Sequence, residues 1–271
     1  GTAADDLAMI YDSLMRKAED EPFTQYGLLA ESVELPDDRS WITFHIRPQA
    51  RFSDGQPVTS ADVIHTFKLL REQGNPFYRA YYADILNIEA LDPKTVKFSF
   101  KPGENRELPL IVGEVSILPQ HYWRDRDFSK PGLEVPIGSG PYRISSFDAG
   151  RSISYELRSD YWGRDLPVNR GRYNFGEIRY DYYRDSTVAL EAFKAGEYDF
   201  RQETSSKNWA TSYTGPMFDN GAIVRQEIRH ANPTGMQAFI FNSRRPQFAD
   251  SRVRQALAYA FDFEWTNKNI F

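Results

Sequence analysis

The chain has 271 residues, 41% of them apolar and 26% charged, with 33 basic and 38 acidic side chains for a formal net charge of −5. That is long enough for one large or two smaller domains with real cores, and too ordinary in composition for wholesale disorder. No basic block is long enough to mark a nucleic-acid footprint, no apolar run approaches a membrane span, and the absence of cysteine removes disulfides, thiol nucleophiles and cysteine metal sites.

In chain order, the opening residues predict a helix carrying Leu7, Ile10 and Leu14. "WITFHIR" at 41–47 alternates, with Ile42, Phe44 and Ile46 on one face, and predicts a strand. A turn at Asp54-Gly55 and Pro57 then leads to a helix over 59–72. Thr59 and Asp62 have the spacing of a capping box, in which the hydroxyl accepts from the Asp62 amide, and Val58 and Val63 take the staple positions. Inside that helix Val63, Phe67 and Leu70 return on one buried face.

"ILNIEALDPKTVKFSF" predicts a hairpin turning at Asp92-Pro93, and the proline-rich run from Leu118 to Pro136 a subdomain boundary. "PYRISSFDAGRSISYELR" predicts two strands joined at residues 148–150. "GEIRYDYY", "STVALEAFKAG" and "YDF" predict a β-α-β unit with parallel strands, its helix stripe formed by Val188, Ala192 and Ala195 and ended by Gly196. A last strand over 236–242 precedes a helix capped by Asp250.

The densest polar stretch, "RFSDGQPVTSADVIHTF", contains the residue types of a hydrolase site. Each of its main polar residues has a structural task in turn or cap; only Ser53 and His65 are left without an evident partner. The stretch reads as punctuation.

The same stretch resembles the signature of the family 5 extracellular solute-binding proteins, the dipeptide, oligopeptide and nickel receptors of ABC importers. "YDSL" at 11, "LLAES" at 28, "IGSGPYRI" at 137, "SDYWG" at 159, "FKAGEYDF" at 193 and "FNSRRPQFADSRVRQALAYAFD" at 241 follow in family order. "PVNRGRYNFGEIRYDYYRD" and "FDFEWTNKNIF" are most similar to the Yej-type peptide-binding subgroup. The resemblance implies an α/β fold, a type II periplasmic-binding-protein-like lobe with a mixed sheet and an inserted α+β subdomain. Residues 1–23 and 137–250 are then expected in the first lobe, 24–136 in the inserted subdomain, and 251–271 at the start of a second lobe that is mostly absent. The chain is expected to be an excised first lobe, without a signal peptide, of a periplasmic protein that is monomeric at full length.

The function implied is capture of short peptides in a two-lobed cleft for delivery to an ABC permease in the inner membrane, with no catalysis and no cofactor. A saccharide or nickel chelate is the alternative ligand. Two readings of other classes stand beside it: a carboxylate-dependent hydrolase, and a regulatory module whose DNA-binding part lies outside this segment. The expected ligand-binding residues are Tyr78, Tyr81, Tyr82, Ser139, Gly140, Trp209 and Asn242. The aromatics offer stacking surfaces, the 138–140 backbone a close approach, and the Asn242 amide both donor and acceptor groups. "HYW" at 121–123 is a further stacking candidate. His45, His65, His121 and His230 show no close metal spacing, and "GSGP" lacks the following helix that a phosphate loop needs.

Overall fold

The computed structural model describes residues 9–270 apart from 104, 131, 232–234 and 237. The chain divides into two compact units, residues 1–182 and 183–271. Of the expected first helix, Leu7 lies outside the described residues, Ile10 is helical, and Leu14 is fully buried on the way into the first strand.

In the first unit, strands β1 (Met15–Lys17) and β2 (Gln25–Gly27) form a small antiparallel ribbon. Strands β3 (Ala30–Glu34), β4 (Trp41–Ile46), β5 (Ile85–Asp92) and β6 (Thr95–Phe100) make a sheet of order β3-β4-β6-β5. Strand β4 is interior, so Thr43 is buried as well as Ile42, Phe44 and Ile46. Strands β7 (Tyr142–Asp148), β8 (Ser152–Leu157) and β9 (Glu177–Asp181) form the third sheet, with the β7–β8 turn passing through Gly150 at φ +80°.

Helix α1 (Ser60–Gln73) packs Val63 and Phe67 against the four-stranded sheet, where Phe67 meets Phe98 edge-on at 5.0 Å. Its start is fixed by the capping box expected of Thr59 and Asp62. The Thr59 N–H and hydroxyl both donate to Asp62 Oδ2, at 2.8 and 2.7 Å, and the other carboxylate oxygen accepts the Gln120 N–H at 2.8 Å. Short helices α2 (Pro76–Tyr81), α3 (Leu108–Gly113) and α4 (Gln120–Trp123) complete this part of the unit. A second core joins Ile10, Tyr11, Leu69, Leu118, Tyr142, Ile153 and Tyr155.

The second unit holds helices α5 (Ser186–Lys194), α6 (Ser206–Thr211), α7 (Pro216–Asp219), α8 (Pro246–Ala249), α9 (Ser251–Tyr259) and α10 (Phe263–Asn269). Asp250 caps α9 by accepting the Arg252 N–H at 2.8 Å. The buried stripe of α5 is Ala189, Leu190 and Phe193 rather than Val188, Ala192 and Ala195; Val188 is 58% exposed. The larger leucine and phenylalanine remove more apolar surface from water than the small side chains do.

Neither "YDF" at 198–200 nor the described residues of 236–242 form a strand, so the parallel pair expected of the β-α-β unit is absent among the described residues. All strand pairs described are antiparallel. A strand needs a neighbour to take its backbone hydrogen bonds, and Phe239 and Ile240 are 79% and 93% exposed.

Candidate functional site

The first unit contains a cleft of about 980 Å³. Helix α2 builds one wall. Asn75 caps it by accepting the Phe77 N–H at 2.9 Å, and Pro76 occupies its first turn, where a missing N–H costs nothing. Residues four apart then stack: Tyr78 on Tyr82 at 5.6 Å and 14°, and Phe77 on Tyr81 at 4.8 Å and 27°.

The three tyrosines differ in exposure. Tyr82 is anchored in the core, 3% exposed and edge-on to Phe67 at 5.2 Å, whereas Tyr81 is 42% exposed. Burial raises the phenol pKa of both, and Glu114 and Glu107 add to the rise at Tyr81. All three rings line the cleft.

Tyr122, Trp123 and Phe128 form a second aromatic wall, with Trp123 edge-on to Tyr122 at 5.1 Å and to Phe128 at 5.0 Å. Arg126 lies 4.1 Å over the Tyr122 ring and is paired with Glu134. Ile10, Tyr11, Ile111 and Val115 complete the lining, and burial raises the Tyr11 pKa. The cleft is therefore largely apolar and aromatic, and its polar groups include phenol hydroxyls, Ser116, Glu114 and the Arg126–Glu134 and Lys130–Asp127 pairs.

Ser139 and Gly140 belong to a different, closed cluster. Ser139 is fully buried and its Oγ accepts the Asp12 N–H at 2.9 Å; the Gly140 N–H donates to the Ile10 carbonyl at 2.7 Å. A Cβ at Gly138 would stand 2.0 Å from Ile10 O, and one at Gly140 2.5 Å from Met9 O, so both positions require glycine for close backbone approach. These groups are engaged within the fold.

The centre of this cluster is Asp12, 2% exposed. Its carboxylate accepts from the Tyr161 hydroxyl at 3.1 Å and from Trp162 Nε1 at 2.9 Å, and the same indole N–H reaches Ser139 O at 3.1 Å. Burial pushes the Asp12 pKa up to about 7, against the lowering effect of those hydrogen bonds and of the Arg16 and Arg158 charges. Arg158, itself buried, donates to Gly140 O at 2.9 Å.

Trp209 and Asn242 belong to the second unit. Trp209 is half-buried on α6, with Arg225 4.9 Å over its ring. Exposed Asn242 accepts the Arg244 N–H at 3.1 Å and so shapes its own turn. The structure thus brings together Tyr78, Tyr81 and Tyr82 in one cleft and places Ser139 and Gly140 in another cluster.

Tyr11, Arg126 and Phe128 are cleft residues that the sequence reading misses. The alternation of rings and cations in "HYWRDRDF" was the available signal, obscured by the irregular, proline-rich setting. Among the described residues no group of three His, Asp or Glu side chains stands close enough to hold a metal ion. No described helix is long and apolar enough to cross a membrane.

The model of the bacterial extracellular solute-binding proteins, family 5 Middle, matches residues 24–271. The chain is 45% identical to "Uncharacterized protein YejA" of Escherichia coli (strain K12), over 97% of this chain and 43% of that one. It is 41% identical to "Probable peptide-binding protein YejA" of Agrobacterium fabrum, over 100% of this chain and 45% of the relative. The chain therefore spans less than half the length of the curated relatives it matches. Among solved structures it is similar to the binding protein MoaA of A. tumefacien R10 in complex with mannopinic acid. That match has a TM-score of 0.73 and 26% identity, over 97% of this chain and 51% of MoaA.

Proposed function

Because the chain belongs to the family 5 bacterial extracellular solute-binding proteins, we propose that it forms part of a non-catalytic, periplasmic receptor that captures short peptides and delivers them to an ABC permease. The observation that carries the peptide reading is the cleft walled by Tyr78, Tyr81 and Tyr82 on one side and Tyr122, Trp123 and Phe128 on the other. Its volume of about 980 Å³ accommodates a short peptide or several of its side chains. Rings of this kind accept side chains of varied shape, while phenol hydroxyls and a backbone edge fix orientation.

In this reading Tyr78 and Tyr81 contact ligand directly and Tyr82 holds Tyr78 in place. Trp209 and Asn242 remain ligand-contact candidates of the second unit taken by itself, and Ser139 and Gly140 act by shaping the backbone of the first unit. Residues 24–136 are the inserted subdomain, residues 1–23 and 137–250 the first lobe, and residues 251–271 the start of a second. The full-length protein acts as a monomer. A relative carrying the words "peptide-binding protein" in its name supports the ligand class. MoaA supports a second reading, a ligand such as the mannopinic acid it holds.

Calorimetric titration of this chain, and in parallel of the full-length Agrobacterium fabrum relative, with a mixed short-peptide pool and with mannopinic acid separates the two. Saturable heat with peptides, weakened by Tyr81→Ala, is the expected result. Heat with mannopinic acid alone would replace peptide by a ligand of that kind; silence with both would remove the cleft as the site.

A further inference from the structure

A groove of opposite character runs along the exposed face of α1. One cavity of about 520 Å³, between α1, β5 and α4, is lined in part by His65, Lys68, Trp123 and Arg124. A second, of about 610 Å³, between α1, α2 and β5, includes Lys68, Arg71 and Arg79. The two share Ile64, Lys68 and Glu72 and so form one continuous surface.

Its charge runs against that of the chain. The net charge is −5 overall, yet Lys68, Arg71, Arg79 and Arg124 face one lining carboxylate, Glu72. The helical period explains the row, since residues 64, 68, 71 and 72 return on one face. Arg124 makes a surface pair with Asp125 at 3.5 Å, and Arg79 Nε donates to the Arg71 carbonyl at 3.4 Å. No described acid lies within ion-pair distance of Lys68 or Arg71, and neither side chain makes a hydrogen bond among the described residues.

An independent observation comes from the first cavity. His65 Nε2 is closed to solvent without a hydrogen-bond partner among the described residues, and His65 lines that cavity. A buried ring nitrogen left unpaired is costly to the fold. Beside the Lys68 and Arg124 charges, it suits an acceptor-rich anion. Burial holds His65 below its ordinary pKa, so near neutrality the fixed charge is that of Lys68 and Arg124.

We propose that this groove is a second binding site, for a small anion bearing carboxylate or phosphate groups. Lys68, Arg124 and His65 take the first acidic group, and Arg71 and Arg79 take a second. Lys68 supplies a movable point charge and Arg124 a planar fork able to grip two oxygens. The proposal does not rest on peptide being the ligand of the aromatic cleft. Trp123 lines both the groove and that cleft, so an occupant of the groove changes the surroundings of a ring in the cleft wall.

The test is titration of this chain with inorganic phosphate, succinate and citrate at neutral pH and constant ionic strength, balanced with potassium chloride. Calorimetry and tryptophan emission are read together, with Trp123→Phe assigning the emission change. Expected is a saturable response to at least one probe, weakened about tenfold or more in Lys68→Gln/Arg124→Gln and unchanged in Arg151→Gln, a cation on the β7–β8 turn. That loss corresponds to the removal of at least one charge-assisted hydrogen bond. Response to phosphate alone, or to the carboxylates alone, assigns the acid class. Absence of a saturable response to all three probes overturns the proposal, as does an undiminished response in the double variant with circular dichroism unchanged.

Discussion

Asp62 and Gln120 are 58 positions apart, and the carboxylate that closes the start of α1 also accepts the backbone N–H that starts α4, at 2.8 Å. One side chain thus serves two helices: Oδ2 takes the Thr59 N–H and hydroxyl, and Oδ1 takes Gln120. Removal of Asp62 leaves a cap empty and a partly buried amide unpaired. Asp62→Ala is expected to cost about 2–4 kcal/mol, a cap and a charge-assisted hydrogen bond together. Thr59→Ala, which removes only the hydroxyl, is expected to cost about 1 kcal/mol. Urea midpoints measure both, and equal losses from the two would show that the Gln120 link carries no weight.

Asp12 gives the fold a distinct pH dependence. Its pKa rises from an ordinary 3.8 when unfolded to about 7 when buried. The native state therefore binds the proton more tightly between those values. The Asp12 contribution is fully present below the lower pKa and is lost as pH rises through about 7. Asp12→Asn has no such titration. The melting temperature of the native chain minus that of Asp12→Asn should be more positive at pH 5 than at pH 8. An equal difference at both pH values would count against the buried acid.

The neighbouring tyrosines Tyr81 and Tyr82 should separate binding from stability. Tyr81→Ala removes a partly exposed ring from the cleft wall and is expected to weaken peptide binding about tenfold while costing under about 1 kcal/mol of stability. Tyr82→Ala removes a core ring and is expected to cost about 3–5 kcal/mol. Calorimetric titration and urea melts on the same samples decide it. A stability loss at Tyr81 as large as at Tyr82 would contradict the division of labour.

The close passage of residues 138–140 past residues 9–10 leaves no room for a side chain. Gly138→Ala would place its methyl 2.0 Å from Ile10 O, so the two segments must separate. The expected loss is about 2 kcal/mol or more. Gly150→Ala gives a contrast, since no atom lies within 4 Å and only its φ of +80° is strained; it should cost about 1 kcal/mol. Thermal melts rank the two, and Gly138→Ala melting no lower than Gly150→Ala would refute the crowding argument.

Local grammar was legible where its partners were also local. The strand at 41–46, the box at Thr59 and Asp62, the turn at Asp92-Pro93 and the Asp250 cap are all written within a few residues, and all form. The strands expected at 198–200 and 236–242 depend on a neighbour that no local pattern supplies, and they do not form among the described residues. The site follows the same rule. Tyr78, Tyr81 and Tyr82 are visible because an aromatic cluster on one short helix announces itself. The buried role of Asp12 was invisible, since its side-chain partners Tyr161 and Trp162 lie 149 and 150 positions away.

Those separations also order events in time. The hydrogen bonds from Asp12 to Ser139, Tyr161 and Trp162 close loops of 127 to 150 residues, at a higher entropic cost than shorter closures. The β4–β6 and β5–β6 pairings span shorter stretches, and their core is able to gather first. The Asp12 carboxylate is then partnered late, after the chain through residue 162 has been made. On a ribosome, this buried acid has to wait for Tyr161 and Trp162 before its charge is paired.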